Sequence, residues 1–144
     1  MRGKTRMKLL VAALVGLAVV LGGCASASVD TSALQGTWAL ESFGGVTALT
    51  PTDPSVASDL TLQAGVASGN GGVNSFSGTY KVPGKGRITF GPLAATAMAG
   101  PPAATDQESK FFAALNATKH YELNAGKLVL SDLGNNTLLV LVKK

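Results

Sequence analysis

The first 24 residues constrain this chain more than any other part of it. Four basic residues and no acidic residue lie within residues 1–8, and an uncharged apolar run then covers residues 9–21. A basic start, an apolar run of this length and small residues before a cleavage point are typical of a secretory signal. The run is shorter than the ~20 residues that a helix needs to cross a bilayer core. We therefore expect residues 1–23 to be a signal peptide that the mature protein lacks.

The end of this signal has the sequence Leu21-Gly22-Gly23-Cys24, and Cys24 is the only cysteine of the chain. An aliphatic residue, two small residues and a cysteine resemble the bacterial lipobox. The resemblance implies that the Cys24 thiol takes a diacylglyceryl group, that cleavage precedes it, and that fatty acids such as palmitate hold the mature protein on a membrane. Two acyl chains make such an anchor stable, whereas one does not. The alternative is an ordinary signal peptide with an incidental cysteine, but the whole sequence context agrees with the lipobox.

A short tether is expected to follow the lipidated cysteine. Residues 24–33 contain small and polar residues without periodicity, which is typical of a flexible linker. The nine residues after Cys24 can span at most ~30 Å, so the domain works close to its membrane. In a bacterium with two membranes, Ala25 would resemble an outer-membrane sorting signal. In a host with one membrane, the protein would stay on the plasma membrane.

The basic character of the chain belongs to its signal peptide. The net charge of the whole chain is +4, but residues 1–23 hold four of the twelve lysines and arginines and none of the eight acids. The remaining eight basic and eight acidic residues cancel. A neutral domain lacks the electrostatic footprint that nucleic acid or anionic lipid would select. We therefore expect no nucleic-acid partner and no charge-driven lipid binding.

Residues 34–144 have the length of one domain with one core. Alternating apolar residues predict short strands, and Trp38 and Leu40 share one face of the first of them. Trp38 is predicted to be a core residue that fills the barrel interior. Seven short strands with closely spaced turns favour an antiparallel barrel or a sandwich. Long loops in a compact domain are either functional or mobile, so the loops are the expected binding surface. The predicted strands are 36–43, 59–63, 76–82, 87–90, 119–123, 127–131 and 137–142, and the candidate binding loops are 44–58, 69–75 and 91–104.

One segment predicts a helix among the strands. Thr105 and Glu108 have the spacing of a capping box, with Thr105 as the N-cap residue. Phe111, Phe112 and Leu115 then mark one apolar face. We expect a helix over about 106–116 that packs against the mouth or the flank of the sheet.

The sequence offers no catalytic, metal or cofactor site. His120 is the only histidine, and it is predicted to lie at an edge or on the surface; nothing pairs it with a serine and an acid in a triad. The acids are scattered, and Asp106 and Glu108 are explained by the start of a helix. The glycine-rich run 69–74 lacks the Gly-Lys-Ser/Thr ending of a phosphate loop. It is predicted to be a tight connection with positive φ.

Several segments together resemble the META domain family, the family of the heat-shock lipoprotein HslJ. The resemblance covers about residues 34–142, and its order and spacing are specific although no single piece is. Its pieces are the runs 34–40 (LQGTWAL), 72–80 (GVNSFSGTY) and 90–99 (FGPLAATAMA), the helix residues Glu108, Phe111 and Leu115, and the final hairpin 128–140.

The resemblance implies a mainly β fold, a small antiparallel barrel with one packed helix, in the bacterial envelope. It also implies an association with stress or antibiotic tolerance, but no known reaction. Family members commonly carry cysteines at the positions of Val73 and Gly100, so a disulfide or redox role for that pair does not apply here. An arginine of the family is replaced by Ala97. The candidate binding residues on the two family loops are Asn74, Ser75, Thr96 and Met98.

We therefore expect a monomeric, lipid-anchored envelope protein whose domain is not an enzyme. It would bind an envelope protein or a small ligand, or support tolerance of envelope stress. One alternative is a hydrolase-type enzyme with a site in loops 44–58, 69–75 and 91–104. Another is a purely structural interaction module, which an exposed sheet edge would indicate.

Overall fold

The computed structural model describes residues 28–44 and 48–144. The predictions for the signal peptide, for Cys24 and for the first residues of the tether fall on residues 1–27, outside the described residues. Among the described residues, no helix is long and apolar enough to cross a membrane.

The described residues form ten β-strands, one α-helix and one short 3-10 helix, Ser32–Leu34. All seven predicted strands are present, most of them within one residue of the predicted bounds. The strands are β1 Gly36–Phe43, β2 Thr50–Pro51, β3 Asp59–Gln63, β4 Val66–Asn70, β5 Ser75–Gly84, β6 Arg87–Phe90, β7 Ala94–Ala95, β8 His120–Asn124, β9 Lys127–Ser131 and β10 Thr137–Lys143.

Within the described residues, eight of these strands close into an antiparallel barrel. Their order is β10-β9-β8-β6-β5-β4-β3-β1, and β1 pairs with β10 to complete the ring. The closing register joins Trp38 to Lys143 and Phe43 to Leu139. The two-residue strands β2 and β7 add to β1 and β5 from outside this ring. The fold is therefore a barrel and not a sandwich.

Strand β4 is the one member of the ring that the sequence did not predict. Its residues Val66–Asn70 include two small residues and a glycine, and only Ala67 is buried. It forms because β3 and β5 supply backbone partners on both sides. The prediction that 69–75 is entirely loop is therefore wrong at its start, since long-range pairing outweighs weak local propensity here.

The core fills the barrel with the side chains that the period-two alternation assigned to one face. Trp38 is 2% exposed, and Leu60, Leu62, Leu130 and Leu139 are fully buried. Phe76 of β5 meets two phenylalanines of the helix edge to face, at centroid distances of 5.9 and 5.4 Å. The prediction that Trp38 is a core residue is confirmed.

The helix, α1, covers Pro102–Ala117, so it begins four residues earlier than predicted. The predicted capping box is wrong. Pro102 starts the helix because its φ is preset and the absent N–H would have no helical partner. Thr105 therefore lies inside the first turn, where its hydroxyl donates to the Pro101 carbonyl at 3.1 Å. The Glu108 carboxylate bonds another loop instead of the helix start.

The two ends of the barrel differ, and we name them by what lies there. At the tether end the chain enters through the 3-10 helix, and the Trp38 indole N–H donates to the Leu34 carbonyl at 2.9 Å. This helix overlaps residues assigned to the tether, so the fold begins at Ser32, earlier than predicted. At the helix end α1 covers the mouth, together with the loops 44–58, 71–74 and 132–136. The turns 64–65, 85–86 and 125–126 and the C-terminus of the chain share the tether end.

Candidate functional site

The three loops predicted to form a binding surface come together at the helix end. They surround a cleft of about 430 Å³ beside the start of α1, which we call the loop cleft. Each loop contributes to its walls, and β3 adds one acid. The lining residues are Ser55, Val56, Ala57, Asp59, Asn70, Gly72, Pro101, Ala103 and Ala104.

The glycine-rich turn after β4 packs tightly on α1. Gly72 has φ +140°, and a Cβ there would lie 3.0 Å from the Ala104 carbonyl oxygen. A Cβ on Gly71 would lie 2.7 Å from Cγ of Glu108. The predicted tight connection with positive φ is confirmed, since a side chain at either position would push the turn off the helix.

Glu108 holds this turn from the buried face of α1. Its Oε2 accepts the backbone N–H of Val73 at 2.8 Å and that of Asn74 at 2.5 Å. Its Oε1 accepts the side-chain amide of Asn74 at 2.7 Å. Glu108 is only 8% exposed, so a carboxylate removed from water is compensated by three donors.

These contacts shift the acid-base equilibrium of Glu108. Burial, the largest single influence, raises the pKa, because it disfavours the charged form. The hydrogen bonds from the Asn74 side chain and from the N–H groups of Asn74 and Val73 lower it. Together these hydrogen bonds outweigh the effect of burial. The pKa of Glu108 therefore lies below its ordinary value of 4.5, and Glu108 is ionised at neutral pH.

Asn74 connects the turn to the 91–104 loop. Its Oδ1 accepts the Thr96 hydroxyl at 2.8 Å and the Met98 N–H at 2.7 Å. Its Nδ2 donates to Glu108 and, at 3.2 Å, to the Met98 carbonyl. An asparagine amide offers two acceptor sites and two donors, and all four are used here. The Asn74 side chain is therefore a buried structural tie between loops.

The other predicted binding residues surround Asn74, and all three are exposed. Ser75 and Thr96 are exposed and pair through the Thr96 N–H and the Ser75 carbonyl at 3.0 Å. Met98 is 61% exposed although both its backbone groups bond Asn74. The structure therefore gathers all four residues, with Asn74 as the support and Met98 as an accessible apolar side chain.

Val73 and Gly100, where the family commonly has cysteines, lie against each other. A Cβ built on Gly100 would be 3.2 Å from Cβ of Val73 and 2.4 Å from its Cγ2. Valine thus fills the space that a side chain at position 100 would need. The two positions join the β4–β5 turn to the loop that leads into α1.

A second buried polar residue of α1 holds the 44–58 loop. The Gln107 side-chain amide donates to the Val56 carbonyl at 3.1 Å and to the Ser58 hydroxyl at 2.9 Å. Its carbonyl oxygen accepts the Asp53 N–H at 3.1 Å. Gln107 and Glu108 therefore position two of the three loops from neighbouring places on one helix.

The polar side chains of the loop cleft have hydrogen-bond partners within the protein. Its one carboxylate, Asp59, pairs with Lys144 at 2.7 Å and accepts the Asn70 N–H at 3.1 Å. Its serine, Ser55, donates its hydroxyl to Asp53. His120 lies on β8, between β6 and β9, and does not line the cleft. No cluster of three or more potential metal ligands occurs among the described residues.

His120 differs from its predicted place. Strand β8 is not an edge, since it pairs with β9 along its length and with β6 at His120 itself. The imidazole is half-buried, and its Nδ1 lies 3.0 Å from the Asp132 carbonyl oxygen. The ring therefore has a structural partner on the barrel wall.

A second depression lies beside α1 at the same end. This helix groove has a volume of about 340 Å³ and mostly apolar walls, formed by Phe43, Gly44, Lys110, Ala113, Ala114, Ala117 and Leu138. Three large apolar side chains are also exposed at the helix end: Leu49 is 52%, Met98 61% and Leu133 78% exposed. Exposed apolar residues at one end of a domain are typical of an interaction surface.

The sequence contained a signal for Glu108 that the capping-box interpretation hid. Glu108 precedes Phe111 by three residues and Leu115 by seven, which places it on the apolar face of α1. A charged residue at a core-facing position needs buried partners. That spacing indicated that Glu108 is a buried acid with a structural role. Its hydrogen-bond partners in the 72–74 turn could not be identified from the sequence, because the tertiary fold brings them to Glu108.

Comparison with known proteins agrees with the geometry. The family model described as META domain matches residues 31–144. An NMR structure of a protein from Burkholderia xenovorans is 22% identical, with a TM-score of 0.62, over 75% of this chain and 81% of that one. A crystal structure of a DUF4847 family protein from Bacteroides vulgatus is 18% identical, with a TM-score of 0.58, over 81% and 98%.

Likeness at these identities concerns the fold, and no curated protein matches the chain. The family model covers nearly the whole barrel together with α1. The segments that carried the resemblance in the sequence are β1, the 72–80 turn and strand, the Asn74-bound loop, α1 and the last hairpin. The chain belongs to the META domain family.

Proposed function

We propose that this chain is a lipoprotein of the bacterial envelope, anchored through Cys24, whose META domain binds a partner with its helix end. Export and anchoring are supported by the basic and apolar residues 1–21 and by the lipobox at Cys24. Binding without catalysis is supported by a cleft whose polar groups are already paired with each other. The partner is an envelope protein or a small ligand, and a role in envelope stress follows from the family resemblance.

One observation carries the binding proposal: the loop cleft, Met98 and Leu133 lie at the end of the barrel opposite to the one where the chain enters. The chain enters the barrel at the tether end, and β1 then runs eight residues to the helix end. At ~3.3 Å per residue along a strand tilted by about 40°, the two ends of the barrel are roughly 20 Å apart. An anchor at Cys24 would therefore hold the loop cleft, Met98 and Leu133 on the side away from the membrane. An anchored domain with this orientation presents its loops to the envelope space.

The family fold supports a binding role through rigid support of the loops. Glu108, Asn74 and Gln107 fix all three loops from below, so their outer surface has a defined shape before any ligand arrives. Pre-ordered loops bind more tightly because less conformational entropy is lost on association. A closed ring of strands leaves only the short strands β2 and β7 with a free edge among the described residues.

Position-specific photo-crosslinking in the native envelope tests the proposal. A crosslinking amino acid replaces Met98 or Leu133 at the helix end, and Glu122 on the barrel wall serves as the matched exposed control. We expect a discrete adduct from the two helix-end positions and none from position 122. Adducts of equal yield at all three positions, or at none, would contradict a binding surface at the helix end. Hydrolytic turnover abolished by Ser55→Ala would instead favour the enzyme.

A further inference from the structure

The charged side chains of the exported domain are divided unevenly between the two ends of the barrel. Eight basic and eight acidic residues follow Cys24, so the domain is neutral as a whole. From this neutrality the sequence predicted no attraction to anionic lipid. The strand register shows that the neutrality conceals a polarity along the barrel axis.

Most of the basic residues lie in the half of the barrel near the tether end. Lys85 is in the turn between β5 and β6, and Lys127 directly follows the 125–126 turn. Lys143 and Lys144 end the chain there, with the Lys143 N–H donating to the Gly126 carbonyl at 3.2 Å. All six basic residues of this half are exposed: Lys81, Lys85, Arg87, Lys127, Lys143 and Lys144.

The acidic residues have the opposite distribution. The helix end holds Asp53, Asp106, Glu108 and Asp132, and the basic residues Lys110 and Lys119. Asp59 also lies at the helix end, in the loop cleft, where it pairs with Lys144 at 2.7 Å. The other half holds the remaining three acids, of which Glu41 is paired, with Lys127 at 2.6 Å. The unpaired acids of that half are Asp30 and Glu122. An excess of basic residues therefore remains at the tether end.

The turns that connect the strands at the tether end are short, and most of them have small side chains. Two of its three turns are the pairs 64–65 and 125–126, each an alanine followed by a glycine, and all four residues have positive φ. Beside them, Val66 is 47% exposed and Leu123 36% exposed. Short turns allow the lysine side chains and these two apolar residues to reach a flat surface together.

We propose that the tether end of the barrel lies on the membrane, with its basic side chains against anionic lipid headgroups. This inference rests on the proposed anchoring through Cys24. Seven residues separate Cys24 from the 3-10 helix at Ser32. They span at most about 25 Å, so the anchor keeps this end near the headgroups. The attraction between the basic side chains and the membrane is local, because the surface potential of the anionic membrane falls off within a Debye length of about 10 Å. The acids of the helix end lie beyond this distance.

Lysine acetylation of the mature lipidated protein tests this orientation. The protein is placed in vesicles of phosphatidylglycerol with phosphatidylcholine, or of phosphatidylcholine alone, and acetylation rates are read by mass spectrometry. We expect Lys85 and Lys143 to react roughly threefold or more slowly on the anionic vesicles. Lys110 at the helix end is the internal control and should react equally on both. About 1 M salt, with a Debye length of about 3 Å, should remove the difference.

Charge reversal provides the matched variants. Lys81→Glu with Lys85→Glu should weaken the protection of Lys143 on anionic vesicles, while Lys110→Glu should leave it unchanged. A lipidated protein whose Lys85 and Lys143 react equally on both vesicles would overturn the orientation alone. Absence of lipid on Cys24, read from the intact mass, would overturn the anchoring and the orientation together.

Discussion

Glu108 shows at the residue scale how a buried charge organises a surface. Its carboxylate takes no part in any ion pair of the described residues and instead accepts three N–H donors from one turn. Because those donors belong to Val73 and Asn74, the charge on α1 fixes the loop that in turn holds Met98. The exposed Met98 is thus positioned by the buried Glu108.

The substitution Glu108→Gln should therefore destabilise the domain. The amide keeps the shape of the side chain but loses the charge, and its NH₂ group would face N–H donors. We expect a loss of about 2–3 kcal/mol in the free energy of unfolding, the range for hydrogen bonds to a charged group. Asp106→Asn, an exposed acid on the same helix, is the matched control and should change stability by less than about 0.5 kcal/mol. Urea denaturation measures both, and equal effects would refute the role of Glu108.

The same residue should make stability depend on pH. Since the pKa of Glu108 in the folded domain lies below its ordinary value of 4.5, the folded state favours the ionised form. Its stabilising contribution is complete above pH 4.5 and is lost as the pH falls through the folded pKa. We expect melting temperatures to fall below pH 4.5, and to fall less steeply in Glu108→Gln. Parallel curves for the two proteins would show that other acids account for the effect.

The burial of Trp38 predicts that its removal will destabilise the domain. It is 2% exposed, packs under the 3-10 helix and bonds the Leu34 carbonyl. Trp38→Ala should cost about 3–5 kcal/mol, the range for emptying a large aromatic site. Leu133→Ala, at a 78% exposed position, serves as the control and should be nearly neutral. Red-shifted, easily quenched fluorescence of Trp38 with an unchanged melting temperature of the alanine variant would contradict its burial.

At the scale of elements, the loops are tied to the barrel at a few points. Val73 on the β4–β5 turn touches the position of Gly100 before α1, and this contact joins two loops across the helix end. Glycine is required there only because the valine fills the space. The pair therefore offers a direct test of how closely the loops approach.

Replacing both residues, Val73→Cys with Gly100→Cys, should form a disulfide after a small adjustment of the two loops. A Cβ on Gly100 is 3.2 Å from that of Val73, slightly closer than the ~3.5–4.5 Å of a disulfide, so the two loops need to separate by only a few tenths of an ångström. Closing this loop should stabilise the domain by up to about 3 kcal/mol. Gly100→Ala alone should destabilise it by clashing with Val73. Thiol titration and melting temperatures measure the outcome; two free thiols in the oxidised double variant would contradict the geometry.

The elements also show where sequence reasoning succeeds. Strands with clear alternation, such as 36–43 and 127–131, were predicted with their observed bounds because burial on one face imposes the pattern. Strand β4 was missed because its small residues carry no such pattern. The start of α1 was missed because a proline, and not the Thr105 capping box, begins it. The three loops were located correctly apart from the residues that belong to β2, β4, β5, β7 and α1. Their ties to Glu108 and Gln107 depend on contacts between residues distant in sequence.

At the scale of the whole molecule, the barrel has two dissimilar ends that suit an anchored protein. The tether and most of the basic side chains share one end, and the loop cleft, the helix groove and the exposed Met98 and Leu133 share the other. Net charge alone hides this polarity, because opposite charges at the two ends cancel in the sum. The proposed membrane orientation and the proposed binding surface both rest on the proposed anchor at Cys24.

Metabolic labelling with a tagged fatty acid tests that anchor most directly, in cells that produce the chain or its Cys24→Ser variant. Cys24 is the only cysteine, so no other thiol of the chain can accept the diacylglyceryl group. We predict a labelled mature protein in the membrane fraction for the original chain, and an unlabelled, uncleaved precursor for the variant. Equal labelling of both, or a mature protein without lipid, would contradict the lipoprotein.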